Sequence, residues 1–198
     1  QGDVVVLSEL EHHSNIVPWY LLAQRTGAVL DWVGIDDQGR LDREAMSAAL
    51  AKGPKVLAFT HVSNVLGTVN DVVAITAEAK AAGATVVIDG AQAAPRMPLD
   101  MAAIGADFYG ATGHKLYGPT GIGFLWGRRE LLDGLGPFEG GGSMIGKVTK
   151  ENITWAAVPT RFEAGTPPIA EAVGLGAAVE WMKGVGLENI GAHERALS

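Results

Sequence analysis

Short runs of β-branched apolar residues recur along this chain, each followed by a stretch with helical spacing, and no other feature limits the fold as strongly. Val4-Val5-Val6-Leu7 reads as a buried strand, and residues 15–24 as a helix with Ser14 as N-cap and Gly27 as stop. Residues 28–33 form a second strand candidate, and Asp42 caps a helix over 43–51. Residues 55–59 read as a strand, 73–82 as a helix ending at Gly83, and 85–88 as the clearest buried strand. Phe108-Tyr109 and residues 122–126 are short strands that can pair antiparallel across a Gly-rich connection, and 169–183 is a long helix stopped by Gly184. Strands alternating with helices predict an α/β fold: one domain over 1–198, with a mainly parallel sheet sandwiched by helices.

Composition narrows the function classes. The net charge of -7 disfavours binding to nucleic acid or to an anionic membrane surface, and no basic patch with interleaved aromatics is present. No apolar stretch reaches the ~20 residues of a membrane-spanning helix. With no cysteine, these residues hold no disulfide, thiolate metal site or thiol nucleophile. That composition and the lack of a leader pattern lead us to expect a cytoplasmic protein. The chain opens at Gln1 almost directly on a strand and closes on a helical pattern at Ser198, so we expect an internal piece of a longer protein.

In open α/β sheets, ligands gather beyond the carboxyl ends of the strands. The residues just after each strand candidate are Glu11, His12 and His13; then His61, Ser63 and Asn64; then Asp89 and Gln92; then Thr112, His114 and Lys115. Glycines flank Lys115 and favour a tight turn, where desolvation frees a neutral amine to attack a carbonyl; the local sequence fits a surface lysine equally well. Asp89 ends an apolar strand. It reads either as a helix cap or as a carboxylate facing the protonated ring nitrogen of pyridoxal phosphate (PLP), and Gln92 with the later lysine favours the second. Adjacent His12 and His13, taken as part of a strand, point to opposite faces, and no HExxH spacing appears, so no metal site is expected. One of the two histidines fits better as an aromatic plate over a flat ring. Thr112, Gly113 and His114 offer phosphate-holding groups or an ordinary turn.

These motifs, in this order, resemble those of the cysteine desulfurases of the class V aminotransferase group, PLP enzymes of fold type I, and specifically their Suf-type or group II branch. The matching stretches are EHHSNIVPW from Glu11, THVSNVLGT from Thr60, VIDGAQA from Val87, GHKLYGPTG from Gly113, EGGGSMI from Glu139 and RFEAGTP from Arg161. The resemblance implies that Lys115 is the Schiff-base lysine and moves protons at the substrate α-carbon. It implies that Asp89 partners the pyridine nitrogen, Gln92 the phenolic oxygen, and that His12 stacks on the ring as an acid–base helper. Asn64 is implied near the ring and the substrate carboxylate, Thr112 (often Ser in the family) and His114 at the phosphate, and Thr166 at the phosphate of the other subunit of a homodimer.

The family's first phosphate loop would then lie before Gln1. Its persulfide-forming cysteine, substrate-binding arginine and small domain would lie after Ser198. The expected activity of the whole protein is conversion of L-cysteine to L-alanine, with sulfur passed through an enzyme persulfide to an acceptor protein for iron–sulfur cluster assembly. The 198 residues alone are expected to bind PLP weakly and to lack desulfuration. Two other readings stand beside it: a selenocysteine lyase or other class V lyase or aminotransferase, and a non-catalytic dimerisation scaffold.

Overall fold

The computed structural model describes residues 2–197; Gln1 and Ser198, the ends of the expected domain, lie outside the described residues. The elements run β1 (Val4–Ser8), α1 (Val17–Thr26), β2 (Val29–Val33), α2 (Arg43–Leu50), β3 (Val56–Thr60), α3 (Val72–Ala81), β4 (Thr85–Asp89), α4 (Met101–Ile104) and β5 (Phe108–Thr112). They continue as β6 (Gly123–Gly127), α5 (Arg129–Gly134), β7 (Ile145–Val148), β8 (Ile153–Trp155), α6 (Ile169–Val185) and α7 (Leu187–Leu197). Six strands form one sheet in the order β2-β1-β3-β4-β5-β6. β1 to β5 are parallel, and β6 joins β5 antiparallel. β7 and β8 form a separate antiparallel pair.

The pleat sorts the strand side chains by face. Val6, Leu57 and Val86 lie in register across one face, with Phe59, Ile88 and Tyr109 in a second row. Met46, Ala49 and Leu50 of α2 and Val72, Ile75 and Ala79 of α3 pack on these rows and complete the main core. Each large apolar side chain excluded there contributes about 1.5–3 kcal/mol. The opposite face presents Val5, Leu7 and Ala58, covered by Trp19 of α1. A third cluster joins Ala94 and Leu116 to Met182 of α6 and Ile190 of α7.

Caps set several of the helix ends. Asp42 accepts from the Ala45 amide at 2.9 Å, Asp71 from Ala74 at 3.0 Å and Asp100 from Ala102 at 2.9 Å. Gly27 ends α1 in the left-handed region at φ 74°. Two expectations need correction. Ser14 does not cap α1: that helix starts at Val17 behind Ile16, and the Ser14 amide donates instead to His12 Nδ1. Gly184 does not stop α6, which runs on to Val185 and ends at Gly186, the glycine with positive φ (88°). The hairpin of β7 and β8 was not expected from the sequence.

Candidate active site

The segments leaving β1, β4 and β5 meet beyond the carboxyl ends of the strands. A cleft of about 510 Å³ lies against β4, β5 and β6, with the turn that follows β1 at its side, and its walls include His12, Asp89, Thr112, His114 and Lys115, with Asn15 beside His12. The size suits a small-molecule site.

Lys115 closes a 3-10 turn, Gly113–Lys115, at the end of β5. The Gly113 amide donates to the Ile122 carbonyl at 2.8 Å, and a Cβ on Gly113 would sit 2.9 Å from that same carbonyl oxygen, so the strand pair demands glycine. Leu116, on the far side, is buried in the cluster with Met182 and Ile190. Tyr117 adopts φ 58°, uncommon for a bulky residue, and its ring meets Trp181 of α6 edge-on at 5.2 Å. Lys115 is half-buried and lies between the Gly113–Ile122 strand contact and these anchors.

Asp89 ends β4 half-buried, and its Oδ1 accepts from the Ala91 amide at 2.9 Å. The next residue, Gly90, leaves no room for a side chain: an added Cβ would sit 1.9 Å from Tyr109 Cε1. Tyr109 is fully buried, and its hydroxyl shares a 2.9 Å hydrogen bond with His61 Nδ1. Burial holds the His61 imidazole below its ordinary pKa, and burial together with the Asp89 charge pushes the Tyr109 phenol up. A neutral imidazole–phenol pair therefore supports the floor of the Asp89 loop.

His12 is not in a strand. It precedes the 3-10 turn His13–Asn15, and its ring lies 5.9 Å from that of His13, so the strand geometry assumed for these two residues is corrected. Its Nδ1 accepts from the Ser14 amide at 3.2 Å, which leaves the proton of the neutral ring on Nε2. Thr112 Oγ1 and His114 Nδ1 share a 2.9 Å hydrogen bond and form one polar pair on the wall.

Sequence reasoning singled out three further residues that lie elsewhere. Asn64 and Gln92 line a neighbouring cavity with Arg96, whose guanidinium donates to Gln92 Oε1 at 2.7 Å and to the Gln92 carbonyl at 2.6 Å. Thr166 is exposed and lines a third cavity with Glu139 and Gly165. Among the described residues no group of three or more His, Cys, Asp or Glu side chains could hold a metal ion. None of their helices is long and apolar enough to cross a membrane.

One buried group escaped the sequence reading. Glu11 was noted only as a rim residue, yet it is 7% exposed, and its carboxylate receives Ser8 Oγ at 2.5 Å, the Thr60 amide at 2.8 Å and Asn15 Nδ2 at 2.7 Å. Burial raises its pKa to about 7, with the Asp89 charge adding to the rise against those hydrogen bonds. Ser8 three residues before it and Asn15 four residues after it carry the local signal; Thr60 is far away in sequence.

Comparison with known proteins gives a consistent family signal. The aminotransferase class-V model matches residues 1–198. A probable cysteine desulfurase from Streptomyces coelicolor is 56% identical over 194 residues, 98% of this chain and 46% of that protein. The apo structure of a cysteine desulfurase from Thermococcus onnurineus superposes with TM-score 0.95 at 39% identity, over 100% of this chain and 49% of that one. A C-DES mutant with glycine covalently linked to the PLP cofactor superposes with TM-score 0.82 at 28% identity, over 94% of this chain and 50% of that one. The chain thus spans about half the length of the curated relatives it matches.

Proposed function

The chain belongs to the class-V aminotransferase family, and from that membership we propose that it is the PLP-binding large-domain core of a cysteine desulfurase. The observation that carries the proposal is the meeting of Lys115, Asp89 and His12 on one cleft at the carboxyl ends of the parallel strands. An amine, a carboxylate, an imidazole and a hydroxyl–imidazole pair, set among Val87, Ala111 and Leu125, suit a flat anionic heterocycle.

When bound, PLP supplies a carbonyl that condenses with amines and a ring that accepts electrons from bonds at the substrate α-carbon. Lys115 Nζ would hold the cofactor covalently, and the same amine would take and return a proton at that carbon. The Asp89 carboxylate would keep a proton on the pyridine nitrogen. His12 would face the ring and exclude water from it, with its Nε2 proton available to the substrate. The Thr112–His114 pair would bind the phosphate. Gln92 and Asn64 would join the site from the neighbouring cavity, which for Gln92 requires release from Arg96.

The substrate in this reading is L-cysteine, which leaves as L-alanine. The sulfur passes to a cysteine supplied by the rest of the complete protein, because this chain has none, and then to an acceptor protein for iron–sulfur cluster assembly. We place the protein in the Suf-type branch and in the cytoplasm, as a homodimer in which Thr166 reaches the phosphate bound by the other subunit. Exposed apolar side chains such as Val65, Phe138 and Val173, at 81%, 89% and 70% exposure, support surfaces covered in the larger assembly. The test is to give the complete protein L-cysteine with a thiol reductant and quantify products. Sulfide and alanine in equal amounts fit the proposal; a keto acid, or turnover of selenocysteine alone, refutes it.

A further inference from the structure

The Glu11 carboxylate sits at a junction of three elements. Oε1 takes the Ser8 hydroxyl from the end of β1 and the Thr60 amide from the end of β3; Oε2 takes the Asn15 side-chain amide from the 3-10 turn. Asn15 passes the link on, since its Oδ1 accepts from Trp19 Nε1 at 3.1 Å and Trp19 packs against the sheet. His12, the next residue in the chain, hangs from the same turn, and the Asn15 amide donates to the His12 carbonyl at 2.8 Å.

Burying a carboxylate costs free energy unless its lone pairs are filled, and here three donors fill them. A turn needing only local closure has no use for so costly a group, and Glu11, next to His12 in the chain, hydrogen-bonds to β3 through the Thr60 amide. We propose that Glu11 is a positioning residue, whose buried carboxyl group ties the turn to the ends of β1 and β3 and so sets the height of the His12 imidazole over the cleft. The proposal rests on the reading of that cleft as a PLP site. The charge facing Glu11 across the sheet is Asp89, so the positioning group and the cleft also share one local field.

The experiment is a double-mutant cycle in the complete protein, with PLP affinity read from its visible absorbance for wild type, Glu11→Ala, His12→Ala and the double variant. Glu11→Ala is expected to weaken PLP binding about tenfold when His12 is present and by less than about twofold when it is absent. Glu11→Gln keeps the Oε1 acceptor for Ser8 and Thr60 but sets an N–H donor against Asn15 Nδ2, so it is expected to weaken PLP binding part of the way towards Glu11→Ala, and only when His12 is present. Should Glu11→Ala not fold, Glu11→Asp, which draws the carboxylate back by one methylene, takes its place in the cycle. Equal losses with and without His12, or no loss in either, overturn the role given to Glu11. A wild-type protein with no affinity for PLP overturns the cofactor reading itself.

Discussion

Gly90→Ala is the sharpest structural perturbation available next to the cleft. The new Cβ would lie 1.9 Å from Tyr109 Cε1, 2.2 Å from Cζ and 2.4 Å from the hydroxyl oxygen. Ordinary van der Waals contact begins near 3.4 Å, so ring or loop must move by more than an ångström. Tyr109 has nowhere to go: it is fully buried in the main core between Ile88 and Trp126. Overpacking of this kind costs ~1–3 kcal/mol. Displacing the hydroxyl from His61 strands a buried hydrogen-bonding pair, for ~1–3 kcal/mol more. The sum, about 2–6 kcal/mol, corresponds to a fall in Tm of roughly 4–24 °C for a protein of this size. Thermal and urea unfolding of the variant measure it, and because Tyr109→Ala removes the clash while opening its own cavity, the Gly90→Ala/Tyr109→Ala double variant should lose less than the sum of the two single losses. A Gly90→Ala protein within about 0.5 kcal/mol of wild type would refute the reasoning, as would fully additive losses in the double variant.

Two further predictions follow from buried charges. Asp107, 1% exposed, accepts from Lys80 Nζ at 2.7 Å and from the Val86 amide at 2.8 Å. Asp107→Ala leaves that amide unpaired and should cost about 3 kcal/mol in urea unfolding, while Asp107→Asn, which can still accept from Val86, should cost less. Glu11 titrates near 4.5 when unfolded and near 7 when folded, so the folded state holds its proton more tightly. Its contribution to stability is complete below pH 4.5 and is lost as pH rises through 7, by up to about 3 kcal/mol. Glu11→Gln should abolish that part of the pH dependence, read as a flatter plot of urea midpoint against pH between 4.5 and 7.5; an unchanged slope refutes the shift.

The parallel sheet was legible because the apolar runs at 4–7 and 56–59 are buried at nearly every position, while 85–88 alternates half-buried and buried residues, and such runs need no long-range information to recognise. The antiparallel β6 followed from the short Gly-rich return after Lys115. Helix ends were less legible. Gly184 and Gly186 look alike in sequence, yet α6 passes the first and ends at the second, beyond the turn that buries Met182. The rim rule gathered His12, Asp89, Thr112, His114 and Lys115, because residues that follow parallel strands meet whatever their separation in the chain. It did not foresee that Arg96 holds Gln92 in the next cavity, a contact set by side-chain rotamers. Nor did it distinguish Glu11, whose burial depends on Thr60, 49 residues away.

The central claim is that Lys115 is the amine to which the cofactor is joined. The complete protein is to be loaded with PLP, reduced with borohydride, digested and mapped by mass spectrometry. The account predicts a pyridoxyl adduct on the peptide containing Lys115, and none after Lys115→Ala. An adduct on Lys80, Lys52 or another lysine, or a wild-type protein that carries none, would contradict it.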